Sequence, residues 1–445
     1  MSVVGWPEQE SARSRLEKAR SRISDPNGEG PRACLTVYDA EAAADVADLR
    51  RSQDLCAGPL DGAIVTIKDL FGVAGEPTRA GSKALAQRSE PERRDCTVVQ
   101  RLRAGGAAIL AKTNMSEFAF SGVGLNPHFD TPGNPVDPTR IPGGSSSGAA
   151  VSVAAGYCDV AIGTDTGGSA RIPAALCGLV GFKPTQRHIP RDGVVPLSRS
   201  LDCVGPLART VDACARAFAV LADRPLGETA FPSLRGVRLG AVTGMPLDGV
   251  DGEVGPAYEA ALSMLSAAGA VIEDIHLPQL EAMAALNAAA GLVPVEAYAA
   301  HRAIVDGGDP IDPLIRRRLE RGRTISASDY LNTIDRRQDL IASLGRLMLP
   351  LDGLVMPTVP IIAPTFEDVA APEDFDRLNA LLLRNTTIAN FFGLPSISLP
   401  VPARGMPVGI MLTMGHDEDE RLLALARTVE RILTDRDTGS NVEQT

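Results

Sequence analysis

The chain has 445 residues, 44% of them hydrophobic, and a formal net charge of −11. That composition excludes a disordered polymer, and the acidic balance argues against a nucleic-acid binder, which needs a basic footprint. The 43 glycines and 33 prolines imply many tight turns between short elements, as in an α/β enzyme.

The N-terminal stretch 1–20 lacks the apolar core of a secretory signal, and the apolar runs break at Gly, Pro or charge before the ~20 residues a bilayer requires. Residues 9–24 are expected to form an amphipathic helix, with Ala12, Leu16, Ala19 and Ile23 on one face. A second helix is expected over 39–50, then a strand over 63–71, a helix over 96–105 and a strand over 107–110. A Gly/Ser/Ala segment (143–157) precedes strands at 159–164 and 179–185. This alternation argues for α/β layers. The middle, about 225–350, is Ala-rich and helical (256–268, 279–290) and carries a basic run from Arg316 to Arg323, which reads as a solvated helix face. Strand character returns at 353–357, 395–400 and 407–413, followed by a helix over 420–433. The polar tail after Thr434 is expected to fray. No internal repeat or interdomain linker stands out.

The seven cysteines (Cys34, Cys56, Cys96, Cys158, Cys177, Cys203, Cys214) are odd in number and scattered, without a C-x-x-C pair. They read as reduced and mostly buried in a cytoplasmic protein. A catalytic Cys–His pair has no local support. The GHDEDE cluster (415–420) invites a metal reading, but acidic residues also suit the first turn of the helix that follows. No H-x-x-x-H or similar zinc spacing occurs.

Three sites bear on chemistry. Lys68 sits among Ile64, Val65, Ile67, Leu70 and Phe71, where burial would disfavour the ammonium and leave a neutral amine able to act as a base. Alone, it could equally pair with Asp69. Gly143-Gly144-Ser145-Ser146-Ser147-Gly148 reads as a helix entry. It also satisfies G-x-S-x-G around Ser146, but Pro138 and Pro142 argue against the strand that a nucleophile elbow needs. In 163–173, Ser169 follows Gly167 and Gly168 after a strand, where consecutive N–H groups can form a concave donor site. A nucleophilic serine needs a base, and the chain has only five histidines. A neutral lysine relayed by a second serine meets that need.

The run GPLDGAIVTIKDLFGV, then GGSSSG, then GTDTGGSARIPAALCGLVGFKPT, closely resembles the amidase signature family. The resemblance continues through VPLSRSLDCVGPLART (195–210) and, more weakly, LVMPTVP (354–360) and FFGLPSISLPV (391–401). It implies one α/β domain over 1–445, with a mixed, twisted central sheet covered by helices. Within it, a signature core spans about 60–210, a variable substrate-determining region about 225–350, and a C-terminal return to the sheet about 351–433.

The resemblance also implies a Lys–Ser–Ser triad: Lys68 as base, Ser145 as bridging serine with an unusual cis peptide, and Ser169 as nucleophile of an acyl-enzyme. The N–H groups of Thr166, Gly167, Gly168 and Ser169 would form the oxyanion hole, with Asp165 and Arg171 bracing the loop. For the acyl pocket it points to 115–130, with Phe118, Ala119, Phe120, Ser121, Gly122 and Phe129, and further to Tyr298, His301 and 390–392, with Phe392. The expected substrate is a small amide, urea-derived and carbamate-like ones included. No cofactor, metal, membrane or nucleic-acid partner is expected, and a homodimer is compatible with the resemblance. Two alternatives stand beside this: the glutamine-hydrolysing component of a tRNA-dependent amidotransferase, and a non-catalytic scaffold on the same fold.

Overall fold

The apolar run around Lys68 forms a strand in which every residue from Ile64 to Lys68 is buried. Such continuous burial marks a strand covered on both faces. The computed structural model describes Trp6, residues 10–225, Gly227 and residues 231–434. The tail expected to fray after Thr434 lies outside the described residues.

The strands are β1 (Cys34–Val37), β2 (Ile64–Lys68), β3 (Ala108–Thr113), β4 (Val160–Asp165), β5 (Val180–Lys183), β6 (Cys203–Ala208), β7 (Arg238–Val242), β8 (Val271–Ile275), β9 (Gly353–Pro357), β10 (Ser396–Val401) and β11 (Val408–Thr413). They form one 11-stranded sheet in the order β1-β3-β2-β4-β6-β5-β10-β11-β9-β7-β8. β2 runs parallel to β3 and β4, and β7 parallel to β8 and β9; the remaining pairs are antiparallel. Side chains alternate across the sheet. In β2, Val65 and Ile67 enter one core while Ile64 enters the opposite one; in β4, Val160 and Ile162 divide from Ala161 in the same way. Helices cover both faces.

The expected strand at 179–185 shortens to Val180–Lys183, and that at 63–71 to Ile64–Lys68. β6 escaped the sequence reading because Pro206 lies inside it, and proline removes a ladder donor. β1, β7 and β8 were also unread, as was the long helix Ala327–Met348. The first helix runs from Ala12 to Ile23 and buries the four expected residues.

The middle of the chain forms the helices Gln279–Ala290, Leu292–Asp306, Pro313–Thr324 and Ala327–Met348. By length and hydropathy, Gln279–Asp306 could cross a bilayer. It is instead broken at Gly291, whose ψ of 138° is extended, and Leu280, Met283, Ala297 and Ile304 pack on the cores. All seven cysteines are free thiols, six of them buried.

Candidate active site

Lys68 ends β2, and its side chain is fully buried. Nζ donates to Ser145 Oγ at 2.7 Å and to Thr164 Oγ1 at 2.9 Å. Burial pulls the ammonium down to about 7, against the upward pull of Asp202 and Asp165. A neutral amine is thus accessible near neutral pH. Ser145 stands at the entry to the helix Ser147–Ala154, behind a cis Gly144–Ser145 peptide bond. Ser116 N donates to the Ser145 carbonyl at 3.1 Å, and Ser146 N to the Ser169 carbonyl at 3.3 Å. These bonds bring the two serine loops together.

The loop from β4 to the helix Arg171–Leu176 carries Thr166 to Ser169. Gly168 has φ 135°, and a Cβ there would meet Thr386 Oγ1 at 2.1 Å, so only glycine fits. The Gly167 carbonyl accepts from Thr386 Oγ1 (2.6 Å) and Thr387 Oγ1 (3.2 Å), which fixes the orientation of that peptide. The loop is closed by Arg171, which donates through Nε and Nη2 to the two oxygens of Asp165 at 3.0 and 2.9 Å. Both side chains are fully buried. Asn390 joins them, accepting from Arg171 at 2.6 Å and donating to Asp165 at 2.9 Å. Burial alone would raise the Asp165 carboxyl; Arg171 holds it below its usual value.

Thr166 donates to Asp202 at 2.6 Å. Asp202 also accepts from the N–H groups of Leu197 (2.9 Å) and Ser198 (3.0 Å), tying the 166–169 loop to the strap that leads into β6.

Ser169 opens into a cavity of about 260 Å³. Of the pocket residues expected from sequence, Ala119, Phe120 and Ser121 line it. Phe118 lies beneath, stacked on the His301 ring with centroids 4.2 Å apart. Gly122 is tied down by its N–H to Asn379 Oδ1 at 2.8 Å and does not reach the lining. Tyr298 is directed to Asp306 (2.9 Å); Phe391 and Phe392 both pack in one core cluster, and Phe391 also reaches the cavity lining. Phe129 lies under Arg79 and Lys83 instead. Phe118 and Ala119 both hold positive φ (51° and 60°), and their segment is pinned by the Phe118 N–H to the Ala80 carbonyl at 3.0 Å.

The basic run is a solvated face in part: Arg317, Arg321 and Arg323 are exposed, while Arg316 and Arg318 are half-buried. Arg318 and Arg321 line the cavity. Arg321 spends its guanidinium on the carbonyls of Asn287 and Ala288. The Arg318 guanidinium stacks on the Phe120 ring, 4.8 Å from its centroid, and its buried Nε has no hydrogen-bond partner among the described residues. Burial lowers it to about 10. Asp376, which pulls it upward, is already paired with Arg317 at 2.6 Å. One signal was present in the sequence: Ile315, Leu319 and Gly322 are the buried positions of this helix, and Arg318 falls among them at helical spacing.

The acidic cluster at 415–420 starts the helix Asp419–Thr434. Asp417 and Asp419 hold His188 between them, at 2.9 and 3.1 Å.

The family model described as Amidase matches residues 21–423. The chain belongs to the amidase family. It is similar to the 2-amino-5-chloromuconic acid deaminase of Comamonas testosteroni, with 37% identity covering 88% of this chain and 86% of that one. It is also similar to a glutamyl-tRNA(Gln) amidotransferase component of Chloroflexus aurantiacus, with 34% identity over 89% and 88% of the two chains. Among solved structures, one described as an amidase superposes with a TM-score of 0.84 at 32% identity, covering 96% of this chain and 97% of that one. This amidase is a hydrolase of carbon–nitrogen bonds other than peptide bonds.

Proposed function

We propose that this amidase hydrolyses a small amide whose acyl part carries a carboxylate, through an acyl-enzyme on Ser169. The observation that carries the reading is the Arg318 guanidinium, set without a partner among the described residues in the cavity that exposes Ser169. Two arginines and no carboxylate side chain are among the residues lining that cavity. The Arg318 side chain is half-buried and its Nε is shielded from water without a hydrogen bond, so an anionic ligand group gains by pairing with the guanidinium. Urea-derived acids fall within this class. The Comamonas testosteroni relative is named for an acid, which supports the same class.

The chemistry follows from the relay. Neutral Lys68 takes the Ser145 proton as Ser145 takes that of Ser169. Ser169 Oγ forms a bond to the carbonyl carbon, and the N–H groups from Thr166 to Ser169 receive the oxyanion. The C–N bond breaks as the nitrogen takes the proton back from the relay. Water then hydrolyses the ester through the same groups.

A second reading is the glutamine-hydrolysing component of an amidotransferase, favoured by the similarity to the Chloroflexus aurantiacus protein. Glutamine brings an α-ammonium as well as a carboxylate, and among the described residues no acidic side chain lines the cavity to receive it. The test measures ammonia release from succinamate, from its uncharged analogue butyramide and from glutamine. Succinamate is expected to be turned over fastest. Equal rates on butyramide would overturn the carboxylate class, a preference for glutamine would favour the second reading, and no release from any amide would favour a scaffold.

A further inference from the structure

A second, larger recess of about 600 Å³ meets the acyl cavity at the active site. The two share Ala119, Thr166 and Leu197 in their linings. The recess reaches Thr164, whose hydroxyl accepts from Lys68 Nζ at 2.9 Å, so it opens on the relay side of the nucleophile. Between the cavities stands the strap 196–202, held by the helix Leu292–Asp306. The Pro196 carbonyl takes a hydrogen bond from His301 at 2.9 Å, and Ser198 Oγ donates to Glu296 at 2.6 Å. Burial lowers His301 to about 4, so its ring is neutral and the bond is an N–H donor's.

The reaction assigns sides to these spaces. The acyl part lies with Ser169 and Arg318. The departing nitrogen must face the relay that returns its proton, so whatever the nitrogen carries points into the recess. Three arginines line the recess. Arg187 is ion-paired with Asp417, while Arg191 and Arg199 form no ion pair among the described residues. Arg191 donates to the Arg199 carbonyl at 2.9 Å, which keeps the two together. Of the two acids there, Asp192 is exposed, as Arg199 is, and Asp202 is committed to Thr166 and the strap.

Resting on the acyl-enzyme reading above, we propose that this recess is an amine-side subsite, and that it takes a leaving amine bearing a carboxylate. The full substrate is then a secondary amide with an acid on each side of the scissile bond. In the step itself the C–N bond breaks, the Ser169 ester forms, and the aminocarboxylate leaves with one proton from the relay.

The test compares N-succinylglycine with N-ethylsuccinamate, which share an acyl part and differ in the amine's charge. Wild-type kcat/KM is expected to favour N-succinylglycine about tenfold, the scale of a hydrogen bond to a charged group. In the Arg191→Ala/Arg199→Ala double variant this preference is expected to vanish, through KM. Arg199 is exposed, so Arg199→Ala alone gives a readout if the double variant folds poorly. A wild-type enzyme without the preference, or a variant that keeps it, overturns the subsite. Hydrolysis of succinamate but not of N-succinylglycine overturns the subsite and leaves the amidase reading standing. Hydrolysis of none of the three overturns both.

Discussion

Asp202 accepts the Thr166 hydroxyl at 2.6 Å and at the same time raises the proton affinity of Lys68. One carboxylate therefore touches both halves of the proposed machinery, the oxyanion loop by a hydrogen bond and the base by charge. Asp202→Asn keeps an acceptor for Thr166 and removes the charge. The Lys68 ammonium then loses a stabilising neighbour, so the acid limb of the kcat/KM–pH profile is expected to move to lower pH. An unmoved limb would disconnect Asp202 from the base.

The profile of the wild-type enzyme should itself rise through about pH 7, where burial places Lys68. Lys68→Met is expected to abolish turnover while increasing stability. The folded lysine loses its proton near 7 and the unfolded one at its ordinary 10.5, so the unfolded chain binds the extra proton between them. Stability of the wild type thus rises with pH across that window, and its cost is complete below about 7. Denaturant unfolding at pH 7 and pH 10 should show the variant's advantage shrinking at the higher pH. Retained activity at neutral pH would remove Lys68 as base.

Ser169→Ala is expected to reduce hydrolysis to background with an unchanged circular dichroism spectrum, since Oγ contributes no hydrogen bond to the fold among the described residues. A mass increment on the wild-type protein after exposure to an acylating inhibitor, absent from Ser169→Ala, would locate the ester. An increment retained in the variant would place the nucleophile elsewhere.

Arg318→Met separates function from folding. Breaking one side of a desolvated charge pair costs about 2–5 kcal/mol, so KM for a carboxylate-bearing amide is expected to rise about a hundredfold. Stability is expected to hold, because the half-buried Arg318 makes no hydrogen bond or ion pair among the described residues that the apolar side chain would forfeit. A variant that loses stability but not affinity would make Arg318 a structural residue.

Arg171→Ala should do the opposite. It strands Asp165, buried at the end of β4, and is expected to cost about 3–5 kcal/mol in unfolding free energy. Arg171→Lys, with one donor point in place of a fork, should recover only part.

The contrast between these arginines shows what the sequence displays. Glycine and serine segments around Ser145 and Ser169 are legible because backbone geometry restricts their residues: Gly168 has no room for a Cβ. Lys68 is legible because a charge inside an apolar strand is conspicuous. Arg318 hides because five arginines stand between 316 and 323, and composition does not say which one turns inward. Phe391 and Phe392 share one core cluster and Phe391 also reaches the cavity, a distinction between neighbours that spacing does not resolve. Pro206 concealed β6, although that strand carries the chain out of the Asp202 strap. The cavity at Ser169 is built from segments up to some 270 positions apart, between Ala119 and Phe391, and such closeness is set by packing rather than by local pattern.

The strand order carries a consequence for synthesis. β10 and β11 lie between β5 and β9, pairing Ser396 with Lys183 on one side and Thr413 with Leu354 on the other. Until the ribosome has passed Thr413, the growing chain holds two separate half-sheets, each with an open edge able to capture another strand. The last sixth of the chain is the keystone, and the nascent protein depends on it arriving before a neighbour's strand does.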